Sequence, residues 1–391
     1  MWTSVLFLLV ISCITLSSPL SGNHSPNIEA RVAPHFPYGS SPVRGVSLGG
    51  WLVLEPWITP SLFDNTGKPA IVDDVRPAPR PGNCLRVLKN HWGTFITEAD
   101  FATIAAAGLN HIGFWAFDTT GGERYITGQF PYLRTAVTWA QNHGLFVLID
   151  LHGAPGSQNG YDDSGHRGSI SWNIDQTNID RMNAIIKALA AEFSKPQYAN
   201  VVSAIAPLNE PAAYTSLWLL STYRQFVYDS YGNICQNGNL VEVMHDAFQP
   251  LDSWNRIMSS SSGYTNVLMG THHYQVFSNA EEVMTWPQHI STACDCGVAM
   301  VMWASTSGNL WTIAGEFTTT PYDCVKYLNG CGLGCATIAF EKAQGWIYWT
   351  WKMRLALLFT ESTDEWSYQK GLAGGWILQD PTDPQYPNIC G

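Results

Sequence analysis

The chain has 391 residues, enough to bury a large core as one domain or two. Its net charge of −11, from 31 acidic and 20 basic residues, argues against nucleic acid or an anionic membrane surface as partner. Aromatic residues make up 13%, as much as all charged residues together, and 17 are tryptophan, a composition that suits large cores and sugar-stacking pockets alike.

Residues 1–22 (MWTSVLFLLVISCITLSSPLSG) have an apolar centre followed by small and polar residues. This is the pattern of a secretory leader, too short for a membrane span, and no later run reaches membrane length. Its only positive charge is the α-amino group, since Arg31 is the first basic residue. A secreted protein with no membrane anchor follows. Of nine cysteines, Cys13 leaves with the leader, and the remaining even number permits disulfides in an oxidising compartment. Cys294-x-Cys296 and Cys331-x3-Cys335 lack partner Cys/His pairs at zinc spacing, so no metal site is expected. Asn23-His24-Ser25 is the one glycosylation sequon.

Residues 23–42, rich in Pro, Ser and His, read as an arm wrapped on the surface. A single domain over 43–391 then begins with a strand in 43–54, followed by Glu55, Pro56 and Trp57. The tract 73–83 (DDVRPAPRPGN) is loop-like. Thr97 as N-cap and Gly108 as stop define a helix over 97–107. Strand, helix and strand follow at 109–117, 131–142 and 145–151. After a loop over 152–171 come a helix at 174–193, a strand in 201–211, and a helix at 216–230. Further strands fall at 240–245, 266–271, 310–315 and 345–351. Strands alternating with helical segments mean a parallel sheet, and eight strands predict a closed (β/α)8 TIM barrel.

Two of these strands carry chemistry at their ends. The run 201–211 (VVSAIAPLNEP) stops on Asn209 and Glu210, and 310–317 (LWTIAGEF) delivers Glu316. A lone carboxylate there is most simply a capping or salt-bridged residue. Two that leave apolar strands in the same direction are what acetal hydrolysis needs, one to donate a proton and one to attack. At about 5 Å separation they would form a retaining glycosidase pair. Asn209 is placed to hydrogen-bond a sugar 2-hydroxyl.

Several stretches resemble the fungal exo-β-1,3-glucanases of glycoside hydrolase family 5. They are 208–211 (LNEP), 49–63 (GGWLVLEPWITPSLF), 150–160 (DLHGAPGSQNG), 272–277 (HHYQVF), 314–316 (AGE) and 348–352 (YWTWK). By that resemblance Glu210 is the general acid/base and Glu316 the nucleophile. It also implies that His152, His272 and Tyr274 surround the attacked sugar, that Trp349 floors its subsite, and that Glu55 grips hydroxyls of the terminal glucose. Tyr161, where the family usually has Phe, and Phe277 match an aromatic pair at the pocket mouth. Cys294 and Cys390 match a family disulfide. No cofactor is implied, the partner is a β-glucan polysaccharide or oligosaccharide, and a monomer is expected.

The chain also departs from the family. Around 108–115 (GLNHIGFW) about four residues are missing, including an arginine that normally orients the nucleophile, which shortens the second strand. The excursion after 327–330 (YLNG) is truncated before strand eight, and Cys324 loses its usual partner, with Cys331 or Cys335 as substitutes. Residues 353–360 (MRLALLFT) interrupt the run from Lys352 to Glu361. A faulty gene model or a decaying copy would leave such seams. The expected function is a retaining enzyme releasing glucose from non-reducing ends of β-1,3-glucan. Its rivals are an endo-acting β-glucanase or cellulase on the same barrel, and a carbohydrate-binding homologue with impaired catalysis.

Overall fold

The computed structural model of the protein describes residues 36–64, 81–115, 127–235, 240–306, 308–320, 334–354, 364–383, 386 and 388–390. The leader, the sequon at Asn23, most of the arm, most of the 73–83 tract, and Cys324 with Cys331 lie outside them. The first half of the chain forms β1 (Val43–Ser47), α1 (Pro60–Asp64), α2 (Pro81–Thr94), α3 (Glu98–Ala106), β2 (His111–Trp115), α4 (Phe130–Asn142), β3 (Phe146–Asp150), α5 (Gln176–Phe193) and β4 (Val202–Ala206). The second half forms α6 (Leu217–Ile234), β5 (Val241–His245), β6 (Val267–His273), α7 (Asn279–Glu282), α8 (Trp286–Ser305), β7 (Trp311–Phe317), α9 (Gly334–Glu341), β8 (Gly345–Tyr348) and α10 (Tyr368–Gly374). Each strand pairs in parallel with the next, and β1 closes onto β8, so the fold is the expected (β/α)8 barrel.

Strands covered on both faces must be apolar throughout, and β4 and β5 are buried at every position. Two apolar layers result. Val46, Ile112, Ile149, Ile205 and Met269 face outward and pack with the helices. Leu148, Ala204, Val241, Leu268, Ile313 and Ile347 fill the barrel. Helix starts follow their caps: the Asp175 side chain accepts the Thr177 amide at α5, and the Ser216 hydroxyl accepts the Trp218 amide at α6.

The arm does not stay on the surface throughout. Phe36 and Tyr38 are 3% and 5% exposed and join the barrel interior. The Tyr38 hydroxyl donates to Ser203 Oγ at 3.1 Å, and Phe36 meets the His111 and Phe146 rings edge-on. Two aromatic side chains gain more from plugging the apolar barrel floor than from lying in water.

Strand ends also shift. β4 stops at Ala206, because Pro207 has no amide to give to the ladder. β6 and β7 run on to His273 and Phe317, so His272 and Glu316 lie within strands rather than beyond them. The deletion near the second strand leaves five residues in β2, which pair with both β1 and β3 and keep the barrel closed. Six of the described helices were not foreseen, α2 and α8 the longest of them. α2 begins on Pro81-Gly82, which reads as loop, and α8 opens on a capping box between Thr285 and Gln288 with Pro287 in its first turn.

Candidate active site

The C-terminal rim of the barrel gathers the polar side chains. Between β6 and β7 the register slips by one residue, so that Thr271 pairs with Ala314 but His272 pairs with Glu316. Gly315 is the extra residue, and a Cβ there would lie 3.1 Å from His272 Nε2. The bulge with its glycine therefore turns Glu316 toward the site and leaves room for the imidazole. His272 Nδ1 lies 2.5 Å from Glu210 Oε1 and 3.5 Å from Glu316 Oε2, so these two oxygens are at most about 6 Å apart. The Tyr274 hydroxyl donates to Glu316 Oε2 at 2.6 Å.

Glu210 has a backbone φ of 44°, a left-handed conformation that costs energy for a residue with a Cβ. Its surroundings over-determine it. The Asn209 amide donates to the Leu151 carbonyl at 3.0 Å. Buried Gln158 donates from Nε2 to the carbonyls of His152 and Asn209, at 2.7 and 2.9 Å. That one amide ties the loop after β3 to the loop after β4.

His152 stacks on Trp349 with ring centroids 5.6 Å apart and planes within 10°, and its Nδ1 lies 3.1 Å from Asp150 Oδ2. Glu55 and Trp349 are buried, and the charge of Glu55 bears on Glu316. On the barrel axis a cavity of about 40 Å³ is lined from every strand, Gly113 and Gly270 contributing to it, and its polar lining includes Asp150, Asn209, His245, His272 and Glu316. Asn209 Nδ2, Glu316 Oε1 and Glu55 Oε1 are buried without a hydrogen-bond partner among the described residues, which is how donors and acceptors reserved for a ligand look.

Burial raises the Glu210 carboxyl to about 7. Burial also raises Glu316, with the Glu210 charge adding to it and the Tyr274 hydroxyl opposing. Asp150 is raised by burial and by the charges of Glu210 and Asp163. His272 is depressed to about 3 by burial, so its ring is neutral. Two carboxyls this close cannot both ionise readily, and they titrate as a pair. One proton on Glu210, donated to His272 Nδ1, with Glu316 ionised and accepting from the Tyr274 hydroxyl, fits both short contacts.

Tyr161 and Phe277 are exposed, and each packs with other aromatics. The Tyr161 hydroxyl is 2.5 Å from that of Tyr214, and Phe277 meets Tyr274 edge-on at 5.3 Å and Trp366 at 6.5 Å. Tyr214, Trp366, Gln158, Asp163 and His245 were missed from sequence, and the Asx- and Gly-rich loop around Asp163 was the one local signal for any of them. Cys294 and Cys390 are bonded, with Cα atoms 5.3 Å apart. Ligand-type atoms of Glu210, His245 and His272 lie within 4.8 Å of one another. His245 Nδ1 accepts the Ala247 amide at 2.8 Å, so its proton sits on Nε2 and no ring lone pair is left for a metal. Two remaining ligands fall short of a zinc set. No described helix is long and apolar enough to cross a membrane.

No protein-family model matches the chain. A glucan 1,3-beta-glucosidase of Blumeria graminis is 38% identical over 405 residues, covering 91% of each chain. A probable glucan 1,3-beta-glucosidase A of Aspergillus niger is 38% identical over 402 residues, covering 91% of this chain and 92% of the other. A glucan 1,3-beta-glucosidase of Lachancea kluyveri is 34% identical over 452 aligned positions that span all of both chains, so it carries segments this shorter chain lacks. Among solved structures, a rutinosidase from Aspergillus niger matches with TM-score 0.71 and 20% identity, covering 86% of this chain and 98% of that one. Endoglucanase Cel5A from Thermotoga maritima matches with TM-score 0.53 and 15% identity, covering 86% and 97%. At such identities these structures speak for the fold alone.

Proposed function

The chain belongs to the family of the glucan 1,3-beta-glucosidases, and on that premise we propose that this glycoside hydrolase is a retaining, exo-acting enzyme that releases glucose from the non-reducing ends of β-1,3-glucan. One observation carries the reading: a single imidazole nitrogen, His272 Nδ1, within 3.5 Å of both Glu210 and Glu316. The resulting limit on their separation suits nucleophilic attack better than the wider gap that inverting enzymes leave for water.

In the first step Glu316 attacks the anomeric carbon while Glu210 passes its proton to the departing glycosidic oxygen, leaving a glycosyl ester on Glu316. Esterification removes the charge on Glu316, so Glu210 ionises more readily. It then takes a proton from a water that attacks the same carbon and frees Glu316, giving the β-anomer. Tyr274 holds the rotamer of Glu316, and the Asn209 amide meets the sugar 2-hydroxyl. Trp349 stacked on His152 forms the subsite floor, Glu55 binds hydroxyls of the terminal glucose, and Tyr161 and Phe277 flank the mouth. No step calls for a metal or cofactor. The leader pattern supports secretion to the medium or cell wall, and the protein acts as a monomer.

Laminarin hydrolysis with product sizing tests this. Glucose alone supports exo attack, and mixed oligosaccharides would replace it by the endo reading. Proton NMR of the first-formed sugar reads retention as β-glucose. A second reading, a carbohydrate binder with little catalysis, is favoured by one feature: among the described residues, the charges that bear on Glu316 come from the carboxylates Glu210, Asp150 and Glu55. If Glu316→Gln and the unaltered protein cleave an aryl β-glucoside equally slowly, that second reading stands and the enzyme reading fails.

A further inference from the structure

His245, at the end of β5, was singled out neither by its sequence context nor by the two-carboxylate mechanism. It is 5% exposed and lines the axial cavity with Asp150, Asn209, His272 and Glu316. Its main chain is clamped by Tyr223, whose hydroxyl accepts the His245 amide at 2.9 Å and donates to the His245 carbonyl at 3.0 Å. Its ring is clamped too. Nδ1 accepts the Ala247 amide at 2.8 Å, and the ring meets His272 at right angles with centroids 4.3 Å apart. A backbone amide can only donate, so Nδ1 must be a lone pair and the proton is fixed on Nε2. That N–H is buried and has no hydrogen-bond partner among the described residues.

A ring nitrogen of His245 lies within 4.8 Å of a carboxylate oxygen of Glu210, and from this we propose that His245 is a positioning residue for the acid/base, a locked donor whose Nε2–H stabilises Glu210 in its ionised state. The proposal rests on the reading of Glu210 given above. His272 can serve both states of Glu210 by exchanging tautomers, accepting from the acid and donating to the carboxylate. His245 cannot exchange, because the Ala247 amide forbids a proton on Nδ1, and so it biases Glu210 one way only. The other groups facing Glu210 are Asp150 and Asp163 from the β3 side, Asp246 beyond β5, Tyr274 and Glu316 across the site, and Tyr161 at the mouth. The four carboxylates among them oppose ionisation, so a fixed donor is what returns Glu210 to the base form once the glycosyl ester has formed.

Two substitutions separate the two nitrogens. In His245→Asn the amide oxygen stands near the Nδ1 position and keeps the Ala247 contact, but the donor at Nε2 is gone. In His245→Gln the side-chain NH₂ reaches the Nε2 position, while the Ala247 contact is lost. The measurement is the pH profile of kcat/KM on an aryl β-glucoside with a poor leaving group, with thermal melting alongside. His245→Asn is expected to keep its melting temperature and move the alkaline limb up by about one pH unit. His245→Gln is expected to melt lower and keep the limb in place. If both variants keep the wild-type limb while Glu210→Gln is inactive on the same substrate, the role of His245 is overturned and the acid/base reading survives. If Glu210→Gln is as active as the unaltered protein, the acid/base reading itself has failed, and the His245 inference with it.

Discussion

At the residue scale, two positions show how much of the site depends on single atoms. A Cβ at Gly49 would stand 2.7 Å from Trp349 Cζ2 and 3.0 Å from Ile58 Cδ1, so the absence of a side chain is what lets the indole lie where it stacks on His152. Gly49→Ala is expected to lose about 1–3 kcal/mol of stability from overpacking and to raise KM for a β-glucoside, because the indole is displaced. Urea melts and initial rates measure both, and a variant with unchanged KM would remove Trp349 from the subsite. The second position is Glu210, whose carboxyl is raised to about 7 by burial. A general acid must hold its proton in the first step, so kcat/KM should fall as pH rises through about 7. The fall is expected with poor leaving groups and not with aryl glucosides whose leaving group needs no proton. Glu210→Gln should cost about 10²–10⁴-fold on the former only.

At the element scale, β5 carries a second buried carboxyl on its helix-facing side. Glu242 is fully buried, accepts the Ser230 hydroxyl from α6, and is raised to about 8 by burial. Its ordinary value is 4.5, so the stability its neutral form contributes is complete below that pH and is lost as pH rises through about 8. Melting temperature should therefore fall between pH 5 and 8 more steeply than in Glu242→Gln, and parallel slopes would show that Glu242 does not titrate there. The strands around it were legible from sequence, because parallel strands are continuous apolar runs bounded by Gly, Pro and Asn. Helices were less so. α8 (WPQHISTACDCGVAMVMWAS) has one charged residue and no clear polar face, and only its capping box marks its start. The site divides the same way. Glu210, Glu316, His272 and Tyr274 were readable, since each sits in a local motif at a strand end. Tyr214 and His245 were not, because what qualifies them is contact across the barrel: a hydroxyl pair between the loops after β3 and β4 in one case, and a cavity lined from all eight strands in the other.

At the scale of the whole molecule, a closed barrel shares its stability among all eight strands, and the end of the chain is tied back onto it. After β8 the chain turns through α10, packs Ile377 against Gly371, and reaches Cys390, which bonds Cys294 in the middle of α8. The bridge closes a loop of 96 residues, a length for which loss of unfolded-state entropy predicts about 4–5 kcal/mol. That loop contains β7 with Glu316, and α8 packs on the outer face of the same strand. The bulge that aims Glu316, however, lies in the backbone ladder between β6 and β7. Stability and catalysis should therefore separate. A Cys294→Ser, Cys390→Ser double variant is expected to unfold at lower temperature and lower denaturant concentration, with kcat and KM for an aryl β-glucoside unchanged at 25 °C. If KM rises with the loss of the bridge, the docking of α8 reaches through the strand to Tyr274 and Glu316, and the ladder alone does not set the geometry of the site.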